Sequence, residues 1–199
     1  PEPFKKVTLH ETKQIIKELD EKKSSGYDQI DAKLVKELPN SAIKYAIKIY
    51  KAILRLCYFP KVWKVSIVTA IPKPGKDTSI VSSYRPICLL PTLSKIFEKI
   101  LCSRLQLILD KNNIIPDHQF GFRRSHSTIQ QIHRVTSKIR TDMENKQFCP
   151  AVFLDVAKAF DKVWHDGLIY KLKNVLPHNY FKLLKSYIIE RKFLVRMND

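Results

Sequence analysis

Apolar side chains recur at helical spacing through most of this chain. Thr8 followed by Glu11 has the form of a capping box opening a helix that runs to about Lys23, with Ile15, Ile16 and Leu19 on its inner face. Ser24-Ser25-Gly26 breaks it. A short helix from about Asp31 to Leu38 is predicted before Pro39, and Ser41 is placed to cap the next, whose inner face is Ile43, Ile47, Tyr50, Leu54 and Cys57. Phe59-Pro60 ends that one.

The period then changes from 3.6 to 2. Val65, Ile67, Thr69 and Ile71 alternate with smaller residues in a β-branched run, which predicts a strand. The run leads into Pro72-Lys73-Pro74-Gly75-Lys76-Asp77, a β-turn composition between antiparallel strands. After Pro91, Ile96, Phe97, Ile100, Leu101, Leu105 and Ile108 predict a helix to about Lys111. Asn112 to Gly121 reads as a loop. A further helix, from about Ser127 to Asn145, would turn Ile129, Ile132, Thr136, Ile139 and Met143 inward. Ala151-Val152-Phe153-Leu154 is an apolar run of strand length with Asp155 directly after it. Helices over about Gly167–Val175 and His178–Glu190 close the pattern. The fold class expected is α+β and helix-rich.

Composition narrows the picture. In 199 residues, 44% are hydrophobic and 28% charged, as in a globular chain. Stretches free of Asp, Glu, Lys and Arg reach nine residues at most, as from Pro86 to Ser94, against about 20 for a membrane-spanning helix. A soluble protein with no membrane partner is expected. With no charged-then-apolar leader, the expected location is intracellular, nuclear or cytoplasmic, and not secreted. Cys57, Cys88, Cys102 and Cys149 lack zinc-ligand spacing, so reduced core thiols are expected.

Charge points to a partner. Lys plus Arg number 36 and Asp plus Glu 19, a formal net charge of +17, and a field of that sign collects polyanions. The cations are spread along the whole chain, which suits a lined channel better than one basic arm.

Three constellations could carry chemistry. Asp155, at the carboxyl end of a predicted buried strand, suits a hard cation such as Mg2+; the competing reading is a cap for the turn that follows. Around it, Phe153-Leu154-Asp155-Val156-Ala157-Lys158-Ala159-Phe160-Asp161 supplies small residues for close backbone approach and an aromatic five positions on. The basic loop Pro72 to Asp77, with Ser83-Tyr84-Arg85-Pro86-Ile87, could grip a triphosphate between an ammonium and a planar guanidinium, or be a solvated hairpin tip. Gln119-Phe120-Gly121-Phe122-Arg123-Arg124-Ser125-His126-Ser127-Thr128 joins aromatics to arginines, as nucleic-acid contact requires. There, Ser125 or Ser127 could equally be a helix N-cap, with Phe120 and Phe122 merely packing.

Six segments in order carry a resemblance: Lys23 to Ile30, Phe59 to Lys64, Ile71 to Lys76, Tyr84 to Ile87, His118 to Arg123, and Phe153 through Asp161. Together they resemble reverse transcriptases of non-LTR retrotransposons, particularly the Jockey-like group. The resemblance implies a right-hand polymerase fold, with fingers over residues 1–150 and the start of the palm over 151–199. It implies that Asp155 is the first catalytic aspartate, a ligand of both magnesium ions. It further implies that Lys73, Arg85, Val156 and Phe160 contact the deoxynucleoside triphosphate, with Phe160 excluding a 2'-OH. Gln119, Phe122, Arg123 and Arg124 would position the RNA template and DNA primer.

The chain departs from that pattern in having no Asp-Asp pair. It also stops at Asp199, short of the family's Gly-rich palm motif, and Pro1 stands where Met would begin a complete protein. The expectation is a fragment of an RNA-directed DNA polymerase, inactive alone. The alternative is a non-catalytic nucleic-acid-binding or interaction module from a truncated element; Phe160 disfavours an RNA-synthesising polymerase.

Overall fold

The computed structural model describes residues 4–196. Its elements, in order, are α1 (Leu9–Lys17), α2 (Ala32–Lys36), α3 (Asn40–Leu56), β1 (Val65–Pro72), β2 (Tyr84–Leu89), α4 (Thr92–Lys111), α5 (Thr128–Glu144), α6 (His165–Val175), α7 (His178–Ile188) and β3 (Lys192–Val195). Single 3-10 turns at Lys61–Lys64 and Val81–Ser83 lead into β1 and β2. The fold is helix-rich α+β. By compactness the chain divides into residues 1–108 with 165–199, and residues 109–164.

The first unit owns the hydrophobic core. Tyr50, Phe59, Trp63 and Phe97 form a buried aromatic cluster, with the Phe59 ring edge-on to Tyr187 at 4.9 Å. Ile43, Ile47, Ile53 and Leu54 from α3, Ile96, Ile100 and Leu101 from α4, and Leu183 from α7 are also buried. Helical spacing predicts all of these but Ile53 and Leu183, while Cys57, also expected inward, is the half-buried C-cap of α3; burying each such side chain contributes about 1.5–3 kcal/mol before chain entropy is counted.

Arg104 of α4 ties the amino-terminal segment to that core. It is 2% exposed, and its guanidinium donates to both Glu11 carboxylate oxygens at 2.8 and 2.9 Å and to the carbonyls of Lys5, Lys6 and Ile100. Burying a guanidinium is tolerable only when its donors are matched in this way. The same contact corrects the capping box: the Thr8 hydroxyl accepts from the Glu11 amide at 3.2 Å, but the Glu11 carboxylate goes to Arg104. The helix ends at Lys17 rather than Lys23. α3 likewise begins after Pro39, with no side-chain cap from Ser41.

The sheet has the order β2-β1-β3. β1 and β2 pair antiparallel, Ile67 opposite Leu89 through Pro72 opposite Tyr84, as the turn composition predicts. β3 was not legible in the sequence; it pairs parallel to β1, Val65 opposite Lys192 through Val68 opposite Val195. At its base, Gly26 lies so close to the Leu90–Pro91 peptide that a Cβ would meet Pro91 N at 2.5 Å. The Thr92 hydroxyl donates to the Ile30 carbonyl and Lys95 Nζ to the Ser24 carbonyl, so the Lys23–Ile30 segment is a buckle on the start of α4.

The second unit has a different character. α5 opens on a complete capping box, Ser127 and Gln130 each bonding the other's amide. Its expected inward face is exposed at Ile129, Ile132, Ile139 and Met143. The strand expected over Ala151–Leu154 is absent: those residues have no ladder partner among the described residues, and Phe153 and Leu154 are 88% and 90% exposed. A strand exists only through its neighbours, and an apolar run without one stays irregular. None of the four cysteines is buried, Cys88 and Cys102 being exposed, which corrects the expectation of core thiols.

Candidate active site

In the first unit the site residues sit on the β1-β2 hairpin. The register places Arg85 opposite Ile71, and the Lys73 amide extends the ladder by donating to the Ser83 carbonyl at 2.8 Å. Lys73 is two residues beyond Ile71 and one past the end of β1, so by alternation it falls on the same side of the hairpin as Arg85 of β2. The loop between them is organised rather than a loose tip. Lys73 Nζ donates to the Ser82 carbonyl at 2.8 Å, Tyr84 Oη to the Thr78 carbonyl at 2.9 Å, and the Ser79 amide to Asp77 Oδ1 at 2.8 Å. The Ser79 hydrogen bonds hold the Asp77 carboxyl below its usual range. Gly75 takes φ 69°, where a side chain would be strained. Arg85 is exposed.

In the second unit, Asp155 lies in an irregular exposed segment, not at a strand end. Its rigid presentation, expected from a buried strand, is therefore corrected. Its carboxylate caps no main-chain amide among the described residues, so the capping alternative is not what the structure has. The segment turns at Lys158, φ 56°, and the Lys162 amide closes that turn on the Lys158 carbonyl at 3.0 Å. Val156 and Phe160 are exposed beside it.

Two of the motif segments meet within this unit. Phe122, φ 46°, stands edge-on to Phe160 with ring centroids 6.0 Å apart. Arg123 is held locally, Nη1 donating to the Pro116 carbonyl at 3.2 Å and Nη2 lying 3.6 Å from Asp117. Gln119 bonds the Gly121 carbonyl at 3.4 Å, and exposed Arg124 offers its own carbonyl to His126. The sequence did not reveal that Phe120 is the local anchor: His126 stands edge-on to it at 4.9 Å and the Arg134 guanidinium lies 5.8 Å over it. Nothing in the spacing from Phe120 to Arg134 announces that contact.

A polymerase-like match decides the affiliation. Residues 71–198 match the family described as reverse transcriptase (RNA-dependent DNA polymerase), well over half the chain. The chain belongs to that family. It is similar to a probable RNA-directed DNA polymerase from transposon BS of Drosophila melanogaster, 47% identical over 99% of this chain and 22% of the relative. It is also similar to a probable RNA-directed DNA polymerase from transposon X-element of the same organism, 45% identical over 95% of this chain and 21% of the relative. For the polymerase from mobile element jockey of Drosophila funebris the identity is 41%, over 97% of this chain and 21% of the relative. These relatives agree with the non-LTR, Jockey-like motif set. The chain spans about a fifth of the length of the curated relatives it matches.

Reverse transcriptases are generally magnesium-dependent. Among the described residues, no group of three or more His, Cys, Asp or Glu side chains could hold a metal ion. Asp155 offers the hard oxygen such an ion takes, but the described residues do not make a two-ion site. No helix among them is long and apolar enough to cross a membrane.

Proposed function

We propose that this chain is the fingers (1–150) and the start of the palm (151–199) of a right-hand RNA-directed DNA polymerase, acting on an RNA template, a DNA primer and deoxynucleoside triphosphates. The observation that carries the reading is the family match across 71–198, which contains every proposed site residue. In it, Lys73 and Arg85 bind the triphosphate from one hairpin face, a point charge and a planar fork neutralising charge that builds on the phosphates. Asp155 is the catalytic carboxylate and a metal ligand; Val156 contacts the triphosphate, and Phe160 stands under the incoming sugar and excludes a 2'-OH. Gln119, Phe122, Arg123 and Arg124 hold template and primer. Asp155 would be one oxygen ligand of magnesium, which would supply Lewis-acid chemistry in a complete site.

Primer extension on an RNA template with Mg2+ tests the reading. The 199-residue chain alone is expected to give no template-directed DNA, because one carboxylate cannot hold two divalent ions against hydration. In a polymerase of the relatives' length carrying this sequence, Asp155→Asn is expected to cut extension by about a thousandfold or more, the scale of losing a central electrostatic group. In the same enzyme, Phe160→Ala is expected to admit ribonucleotides. Undiminished extension by the Asp155→Asn enzyme overturns the proposal.

A further inference from the structure

The outward side of α3 carries two parallel rows that the polymerase reading does not use and that lie outside the family-matched region. Lys44, Lys48, Lys51 and Arg55 recur at spacings of four, three and four, all exposed. Beside them Tyr45, Ile49 and Leu56 form an exposed apolar row. Lys48 Nζ, 4.7 Å over the Tyr45 ring, joins the two. The opposite side of the helix is buried at Ile43, Ile47, Tyr50, Ile53 and Leu54.

α3 contains no Asp or Glu, and no carboxylate pairs with the four cations among the described residues. Like charges at these spacings repel. The row therefore works against the helix, and an anion bound along it relieves that repulsion. At its carboxyl end the row opens onto a recess of about 270 Å3, where Lys5 and Lys6 join Lys51 and Arg55 over an apolar floor of Val7 and Leu54, again with no acid in the lining.

We propose that this face of α3 binds a single-stranded nucleic acid, phosphates along the cation row and bases against Tyr45, Ile49 and Leu56. A basic groove flanked by an aromatic platform is the chemistry of sequence-tolerant single-strand binding. From Lys44 to Arg55 the helix rises about 16 Å, long enough for consecutive phosphates of one strand to meet successive cations of the row. A lipid surface fits less well, because an interfacial helix buries its broad apolar side in lipid, whereas that side of α3 is already packed in the core.

Fluorescence-anisotropy titration of a labelled 20-nucleotide single-stranded RNA against the 199-residue chain, at several NaCl concentrations, tests this. Replacing Lys44, Lys48, Lys51 and Arg55 together by Gln is expected to reduce the slope of log affinity against log salt by about 3, from about 0.7 per phosphate contact. Replacing exposed Lys13, Lys17, Lys22 and Lys33 by Gln removes the same charge and is expected to change the slope by less than about 1. Tyr45→Ala is expected to weaken single-stranded RNA about fivefold or more and to leave duplex RNA unchanged. Circular dichroism verifies folding, and if the fourfold variant is misfolded the double change Lys48→Glu with Lys51→Glu takes its place. Equal slope changes in the two fourfold variants, an equal Tyr45→Ala loss on duplex, or α3-dependent binding to phosphatidylserine vesicles without α3-dependent RNA binding overturns the proposal.

Discussion

The core unit and the 109–164 unit handle their apolar residues in opposite ways. In the first, α3, α4 and α7 each bury one face, the outward face of α3 excepted, and a buried arginine has every donor matched. In the second, Phe122, Phe148, Phe153, Leu154 and Phe160 face solvent, and Asp142 is the one buried residue among those described. Yet the second unit holds the candidate catalytic carboxylate. Local order there comes from hydrogen bonds, chiefly the Ser127–Gln130 box and the 2.7 Å Lys138–Asp142 ion pair, and not from packing. A segment held in that way can be regular while being only marginally stable, since helices in proteins draw most of their stability from a packed face.

The two tryptophans divide between the units, Trp63 buried in the first and Trp164 exposed in the second, so their fluorescence separates the two. The largest effect expected is from Arg104→Ala, which strands the Glu11 carboxylate and three carbonyls. It should lower the urea stability reported by Trp63 by about 3 kcal/mol, measured in a Trp164→Phe background. A loss below about 1 kcal/mol would show that the enclosed unit does not depend on this contact and would erase much of the contrast.

Ser127→Ala is expected to weaken α5 by about 1 kcal/mol, read as faster amide hydrogen exchange over its first turns. The Trp63 transition should not move. If it moves with α5, the two units unfold as one and the comparison fails.

The smallest effect concerns Glu98, half-buried, its carboxylate accepting from Ser94 Oγ at 2.9 Å and Tyr187 Oη at 3.4 Å. Burial raises its pKa above the usual carboxylate value. Its contribution relative to Gln is therefore fully present below the unfolded value of about 4.3 and is lost as pH rises through the raised folded value. Urea midpoints of the parent minus those of Glu98→Gln should decline from pH 4 to pH 8; a flat difference refutes the assignment.

Helix positions, the β1-β2 hairpin and the Ser127 cap were legible because each is decided by residues within a few positions of one another. What was not legible depends on partners distant in sequence. β3 has two charged neighbours and no alternation, and it becomes a strand only by lying beside β1. Ala151–Leu154 has the composition of a strand but no ladder, and the Ile129–Met143 stripe predicts a helix correctly without saying what would cover it. For the site, turn composition after an alternating run brought Lys73 and Arg85 to one hairpin, whereas the Phe122–Phe160 and Phe120–Arg134 ring contacts lie among left-handed turns that spacing does not encode.

The parallel pairing of β1 with β3 joins residues more than a hundred positions apart. A ribosome adding about 5–20 residues per second needs on the order of ten seconds to deliver the second partner after the first. Throughout that interval the newborn β1 has an open edge on its β3 side, so the nascent polypeptide carrying this hairpin is the stage at which chaperone protection against edge-to-edge aggregation matters most.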